Sequence, residues 1–238
     1  MFTMKQLILG LLLIVGGITG FQAQSVNAAV KITSTSITSK VDTPLNLKSL
    51  VKTNYASTKI KSVTLTTSQP VLASPQNLTI GVKVTATDKS VASKNLTLKV
   101  VANNNLKQRA NMIYFLQSAV PYIKGNMSVT KAPALTAQTW GGNVNFSGTD
   151  KQNTEFIGHN PGVFVQNKQL KIGAAIKVTD AKNRAFVYHV DKIAVVNPLG
   201  YTKAGVDLYP SITTRGTTEH IVLQSSVNAS DKLIVFAH

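Results

Sequence analysis

The sequence predicts an all-β protein built from a β-sandwich, a linking helix and a β-barrel, and three observations lead to this class. Hydrophobic residues make up 43% of the 238 residues, which is enough to bury the cores of two domains. Aromatic residues are sparse, at 6%, whereas the β-favouring residues Thr and Val are abundant. Short runs in which apolar and polar residues alternate recur along the chain, as in half-buried strands.

The first 28 residues have the three-part layout of a secretory signal peptide. Lys5 precedes an apolar run from Leu7 to Phe21, and small residues at Val26 and Ala28 follow. We predict that residues 1–28 are a signal peptide cleaved after Ala28, and that the mature protein is secreted to the cell surface. The run is shorter than the roughly 20 residues of a spanning helix. Membrane attachment is therefore expected only if the segment stays uncleaved as an anchor.

Residues 29–103 are predicted to form the sandwich. A strand from Leu78 to Ala86 alternates strictly between apolar and polar residues, and a second follows from Leu96 to Val100 after a turn at 88–90. Several short strands in one segment favour a small sandwich. The stretch 81–88 resembles the penultimate strand of bacterial immunoglobulin-like surface repeats. That resemblance implies an Ig-like spacer domain without a ligand.

Residues 104–124 are predicted to be a linker and a helix. The polar run at 103–105 marks the domain boundary. Leu106, Ala110, Ile113 and Leu116 then recur at helical spacing, and Pro121 ends the pattern.

Residues 125–238 return to strand patterns, which are clearest at 172–178, 186–196, 221–226 and 233–237. The run at 186–196 is so long that it must bend or break. Strands of this kind favour a closed or half-open barrel.

Charge and cysteine content exclude several functions. The chain has no cysteine, which excludes disulfides, thiolate metal sites and a cysteine nucleophile. The net charge is +16, but the lysines are scattered singly, without the basic clusters or aromatic motifs of nucleic-acid-binding proteins. We expect attraction to anionic cell-wall polymers instead. Four widely spaced histidines give no metal motif, and there is no phosphate-binding loop, so neither a metal nor a cofactor is expected.

Three residues are the candidate site. His159 follows Gly158 in a strand-to-turn segment, Ser226 ends the apolar run that starts at Ile221, and Lys232 begins the run that ends at Ala237. These segments resemble the active-site segments of the sortases, the cysteine transpeptidases of Gram-positive cell surfaces. In that family a Gly-His pair supplies the histidine, a Leu-x-Thr-Cys strand end the nucleophile, and an arginine before an Ile-Val-Phe-Ala-like strand completes the site. The resemblance covers residues 125–238.

The resemblance implies that His159 is the acid/base residue, whereas Ser226 stands at the cysteine position and Lys232 at the arginine position. A thiol ionises near neutral pH, but a serine hydroxyl needs a positioned base. A lysine offers a point charge instead of a rigid fork of donors, and Asp231 is its expected ion-pair partner. We predict an inactive homologue that binds a Leu-Pro-x-Thr-Gly-type sorting-signal peptide or a surface protein.

Two alternatives remain for this chain. One is an active serine-variant transpeptidase or hydrolase that uses Ser226, His159 and Lys232. The other is a basic cell-wall-associated adhesive module in which neither domain has a specific site.

Overall fold

A computed structural model of the protein describes residues 28–238, so the predicted signal peptide lies outside the described residues except for Ala28. The described chain is nearly all β, with twelve strands and only two short α-helices. The predicted all-β class is therefore confirmed. None of the helices in residues 28–238 is long and apolar enough to cross a membrane.

The N-terminal half forms one four-stranded sheet in the order β1-β4-β3-β2. Strands β1 and β4 are parallel and the other pairs antiparallel. Both predicted strands of this half are present, and the turn between them is held by Asp88, whose carboxylate accepts the backbone N–H of Ser90 at 2.9 Å. The elements are β1 Ser36–Lys40, α1 Leu47–Leu50, β2 Ile60–Leu65, β3 Gln76–Ala86 and β4 Val91–Val101.

This single sheet differs from the predicted two-sheet sandwich. Val82, Val84 and Leu98 are fully buried on one face of the sheet, so the face needs a cover. Among the described residues that cover is not a second sheet. It consists of the extended N-terminal segment, the region around α1 and a hairpin of the barrel domain, which supplies Met112 and Ala119 to the same core.

The predicted linking helix is wrong, because residues 112–123 form a β-hairpin of β5 (Met112–Phe115) and β6 (Ser118–Ile123). Both faces of this hairpin are buried. Met112 and Ala119 pack into the core of the N-terminal sheet, and Ile113 and Val120 pack into the barrel. Strands that are apolar on both faces show no alternation. The barrel domain therefore begins near residue 112, before the predicted boundary at 125.

Eight strands close the predicted barrel in the order β10-β12-β11-β8-β7-β6-β5-β9. Strand β11 is parallel to β8 and antiparallel to β12. The long strand β10 bends at a register shift between Val190 and Lys192. The remaining strands are β7 Ala137–Gly142, β8 Asn153–Ile157, β9 Ala175–Thr179, β10 Ala185–Val196, β11 His220–Ser226 and β12 Lys232–Ala237.

The barrel has an interior core and a smaller outer one. Phe156, Leu223 and Val235 point into the interior. On the opposite face of the same strands, Val222 and Ile234 pack under the short helix α2 (Tyr209–Thr213). The outer surface of β8, β11 and β12 is thus covered at one end by α2.

The two halves are joined by more than the chain connection. The segment 66–75 between β2 and β3 inserts Val71 and Ala73 against the barrel core. The buried Ser74 hydroxyl lies 2.8 Å from that of Ser118 and 3.3 Å from the carbonyl oxygen of Val163. Val163 belongs to the segment that follows His159, so the N-terminal half supports the loop that carries the predicted histidine.

Candidate functional site

His159 lies just beyond the end of β8, where the sheet opens to solvent. The backbone N–H of Gly158 donates to Gln224 at 3.1 Å and extends the pairing of β8 with β11. Buried Phe164 anchors the following turn, and its N–H donates to the carbonyl of His159 at 3.0 Å. The exposed imidazole Nε2 lies 2.7 Å from the carbonyl oxygen of Ala132. The backbone of His159 is therefore held firmly, and its ring is directed at a backbone acceptor.

Ser226 and Lys232 face each other across the β11–β12 hairpin. They are cross-strand partners, and Lys232 Nζ donates to Ser226 Oγ at 3.1 Å. The Asn160 amide donates to the carbonyl oxygen of Ser226 at 3.0 Å, which links the histidine turn to the end of β11. The expected Asp231–Lys232 ion pair does not form. The Asp231 carboxylate instead accepts the Asn228 amide inside the hairpin loop, at 2.8 Å.

The three predicted residues line one cavity of about 160 Å³. Its floor comes from β8 and β11, and its rim from β12 and the loop at 124–136. The sequence analysis did not identify most of the other lining residues, which are Thr130, Lys131, Ala132, Ile157, Gly158, Gln224 and Ser225. Gln224 and Ser225 could have been inferred as sequence neighbours of Ser226. Lys131 is distant in sequence from all three predicted residues, and the loop between β6 and β7 brings it to the cavity.

The cavity wall carries positive charge without a balancing carboxylate. Lys131 and Lys232 line it, and within residues 28–238 no aspartate or glutamate does. Lys232 makes no ion pair with any residue of the described chain. The polar groups of the cavity wall are therefore mainly hydroxyl, ammonium and amide groups, which can donate hydrogen bonds to a ligand.

The geometry does not activate Ser226 as a nucleophile. A serine hydroxyl needs a neighbouring base to accept its proton. The imidazole Nε2 of His159 is hydrogen-bonded to Ala132, and within residues 28–238 it forms no hydrogen bond to Ser226. Lys232 donates a hydrogen bond to the Ser226 hydroxyl. To act as a base, the Lys232 amine would have to be deprotonated and accept the hydroxyl proton of Ser226.

Ser225 lies beside Ser226 but on the other face of β11. It is 2% exposed, and its Oγ has no hydrogen-bond partner among the described residues. An unpaired buried hydroxyl costs stability. Ser225 shares its face of β11 with Leu223, a member of the barrel-interior core, so its hydroxyl is directed into the barrel and not into the cavity.

Glu155 is a second polar group that the sequence analysis missed. It is fully buried on β8 beneath α2, and neither carboxylate oxygen has a hydrogen-bond partner of good geometry within the described chain. Burial raises the pKa of Glu155 to about 8, against a smaller opposing effect of the Gly141 amide. Burial therefore favours the neutral form of this carboxyl group. Elsewhere in residues 28–238, no group of three histidine or acidic side chains is placed to hold a metal ion.

Comparisons with known proteins place sortases among similar structures. No protein-family model and no curated protein matches the chain. The catalytic domain of B. anthracis SrtD is similar over 57% of this chain and 92% of that one, with 13% identity and a TM-score of 0.38. Sortase E1 from Streptomyces coelicolor, with a tripeptide in its active site, is similar over 53% and 84% of the two chains, with 18% identity and a TM-score of 0.40.

A mutant of sortase E from Streptomyces avermitilis is similar over the same shares, with 18% identity and a TM-score of 0.35.

Proposed function

We propose that this chain is an exported, sortase-like protein that binds a peptide in the cavity at the ends of β8 and β11 and does not cleave it. The observation that carries this proposal is the convergence of His159, Ser226 and Lys232 on one cavity. These residues come from three separate segments that resemble sortase active-site segments. Their meeting in one place supports a retained binding site.

The lack of cleavage follows from the chemistry of the three positions. A thiolate forms near neutral pH and attacks without a strong base, whereas a hydroxyl does not. The chain contains no cysteine. Ser226 receives a hydrogen bond from Lys232, and His159 is bonded to a backbone carbonyl. The cavity retains groups that bind and lacks an activated group that reacts.

Export to a Gram-positive cell surface is part of the proposal. It is supported by the signal-peptide pattern of residues 1–28 and by the net charge of +16, which favours attachment to anionic wall polymers. Such attachment weakens with salt, whereas binding in the cavity also depends on contacts that salt does not screen. Salt dependence therefore separates the peptide-binding function from a purely adhesive one.

The test combines mass spectrometry with calorimetry. A Leu-Pro-Ala-Thr-Gly peptide is incubated with the mature protein, and we expect intact peptide together with saturable binding. Ser226→Tyr, whose ring would occupy the cavity, should weaken binding at least tenfold, by about 1.4 kcal/mol or more. Ser230→Tyr is the matched control, because Ser230 is exposed in the hairpin loop beside the site. A folded protein that binds no peptide would rule the proposal out.

A second candidate function is a serine hydrolase with a Ser226–Lys232 pair. The observation that favours it is the 3.1 Å separation of Nζ and Oγ, because serine–lysine pairs act as nucleophile and base in other enzymes. In that case the peptide is cleaved, and Ser226→Ala and Lys232→Met both abolish cleavage. Intact peptide at alkaline pH excludes it.

A further inference from the structure

We infer that the cavity takes the free carboxylate at the end of a peptide, rather than a neutral internal segment. This inference rests on the proposed peptide-binding function and specifies its ligand. It comes from the charge, the donor pattern and the size of the cavity, and each of these points to an acceptor-only, anionic group.

The charge of the cavity is one-sided. Lys131 and Lys232 both line it, and no carboxylate of the described part of the chain does. The nearest acidic residue in sequence, Asp231, is engaged by Asn228. Lys131 is exposed, whereas Lys232 is half-buried without a carboxylate partner. A half-buried cation without a counter-charge is unfavourable, so a ligand that supplies a negative charge is favoured beside Lys232.

The donors of the cavity are arranged around Ser226. Lys232 is half-buried, and its ammonium uses one of its three N–H donors on Ser226. Ser226 Oγ is the acceptor in this hydrogen bond, so the proton of its own hydroxyl group remains available to donate to a ligand. A carboxylate accepts through two oxygens with about four lone-pair sites, which matches these donors.

Two backbone acceptors at the cavity are already engaged. The carbonyl of Ala132 already bonds to His159, and the carbonyl of Ser226 already accepts the Asn160 amide. An internal peptide bond brings an N–H that needs an acceptor when it is buried. A terminal carboxylate brings no such donor at its end.

The size of the cavity favours a chain end. Its volume is about 160 Å³, below the range of about 300–1,000 Å³ that is usual for pockets holding a whole ligand. The carboxylate and part of the last residue would enter, while the rest of the peptide would lie outside on the surface.

The experiment compares two peptides that differ only at the C-terminus, Leu-Pro-Ala-Thr with a free carboxylate and the same peptide as an amide. Calorimetry should show at least tenfold tighter binding of the acid, about 1.4 kcal/mol or more. Lys232→Gln should remove this preference, and Lys232→Arg should retain most of it because the charge is kept. Lys203→Gln is the matched control, since Lys203 is an exposed lysine that does not line the cavity.

The outcomes separate the two proposals. Equal binding of acid and amide, lost in Ser226→Tyr, would overturn the carboxylate inference and leave the peptide-binding function standing. Binding of neither peptide to the folded protein would overturn both. Inorganic phosphate is a third arm: if it displaces the acid peptide and binds as tightly by itself, the cavity is a general anion site, and the assignment to a peptide terminus is wrong.

Discussion

The outer face of β8 and β11 carries two polar regions that differ in what covers them. Under α2, Glu155 lies opposite Val222 in the strand register and is sealed from water. Two residues further along each strand, Ile157 and Gln224 line the open cavity with Lys232. The covered region holds a neutral acid and the open region holds cations. On this sheet surface, burial under α2 favours the uncharged form of Glu155, whereas the lysines of the cavity remain in contact with solvent.

The largest expected effect concerns the covered region and pH. Burial raises the pKa of Glu155 from 4.5 to about 8 in the folded protein, so the folded state binds this proton more tightly than the unfolded state. Its stabilising contribution is complete below about pH 4.5 and is lost as pH rises to about 8. The free energy of unfolding should therefore fall by up to about 1.4 kcal/mol per pH unit in this window, about 3.5 kcal/mol in all from pH 5 to pH 8.

Urea denaturation at a series of pH values measures this loss, and Glu155→Gln is the control because its amide does not ionise. Other groups titrate in the same window. Burial lowers the pKa of His220 and raises that of Glu219, and both effects persist in the variant. The difference between the two proteins therefore isolates Glu155. Parallel pH profiles for wild type and Glu155→Gln would show that the carboxyl is hydrated or paired in solution.

A smaller effect is expected where α2 meets the barrel. A methyl group added at Gly141 would lie 2.5 Å from Glu155 Oε2 and 2.9 Å from the backbone Cα of Thr213. Because the backbone of α2 would have to shift to make room for this methyl group, Gly141→Ala should destabilise the protein by about 1–3 kcal/mol. Gly216→Ala is the control, since its nearest atom would be 3.6 Å away. Chemical denaturation gives both values, and equal stabilities would mean that α2 moves freely over the sheet.

The same difference in covering explains which parts of the fold the sequence could predict. Strands β3 and β4 have one buried and one exposed face, so their alternation is visible. The hairpin β5–β6 packs against the N-terminal sheet on one side and the barrel interior on the other. The positions of its apolar residues are therefore set by contacts with two different cores. As a result, the spacing of Ile113 and Leu116 matches the period of a helix by coincidence.

The site shows the same limit. His159, Ser226 and Lys232 lie at strand ends, within segments whose apolar runs and turn residues are visible in the sequence. Lys131 reaches the cavity from a loop whose course depends on the whole barrel. The neutral state of Glu155 depends on α2, which is distant in sequence. Neither effect has a local pattern that single-sequence reasoning could detect.

The smallest expected effect compares the two adjacent serines of β11, which face opposite sides of the strand. Ser225 Oγ is buried without a partner, so Ser225→Ala should stabilise the ligand-free protein by up to about 1 kcal/mol. Ser226 is half-exposed and water can replace its hydroxyl, so Ser226→Ala should change stability by less than about 0.5 kcal/mol. Urea denaturation of both variants distinguishes them. A destabilised Ser225→Ala would show that this hydroxyl has a hydrogen-bond partner in solution.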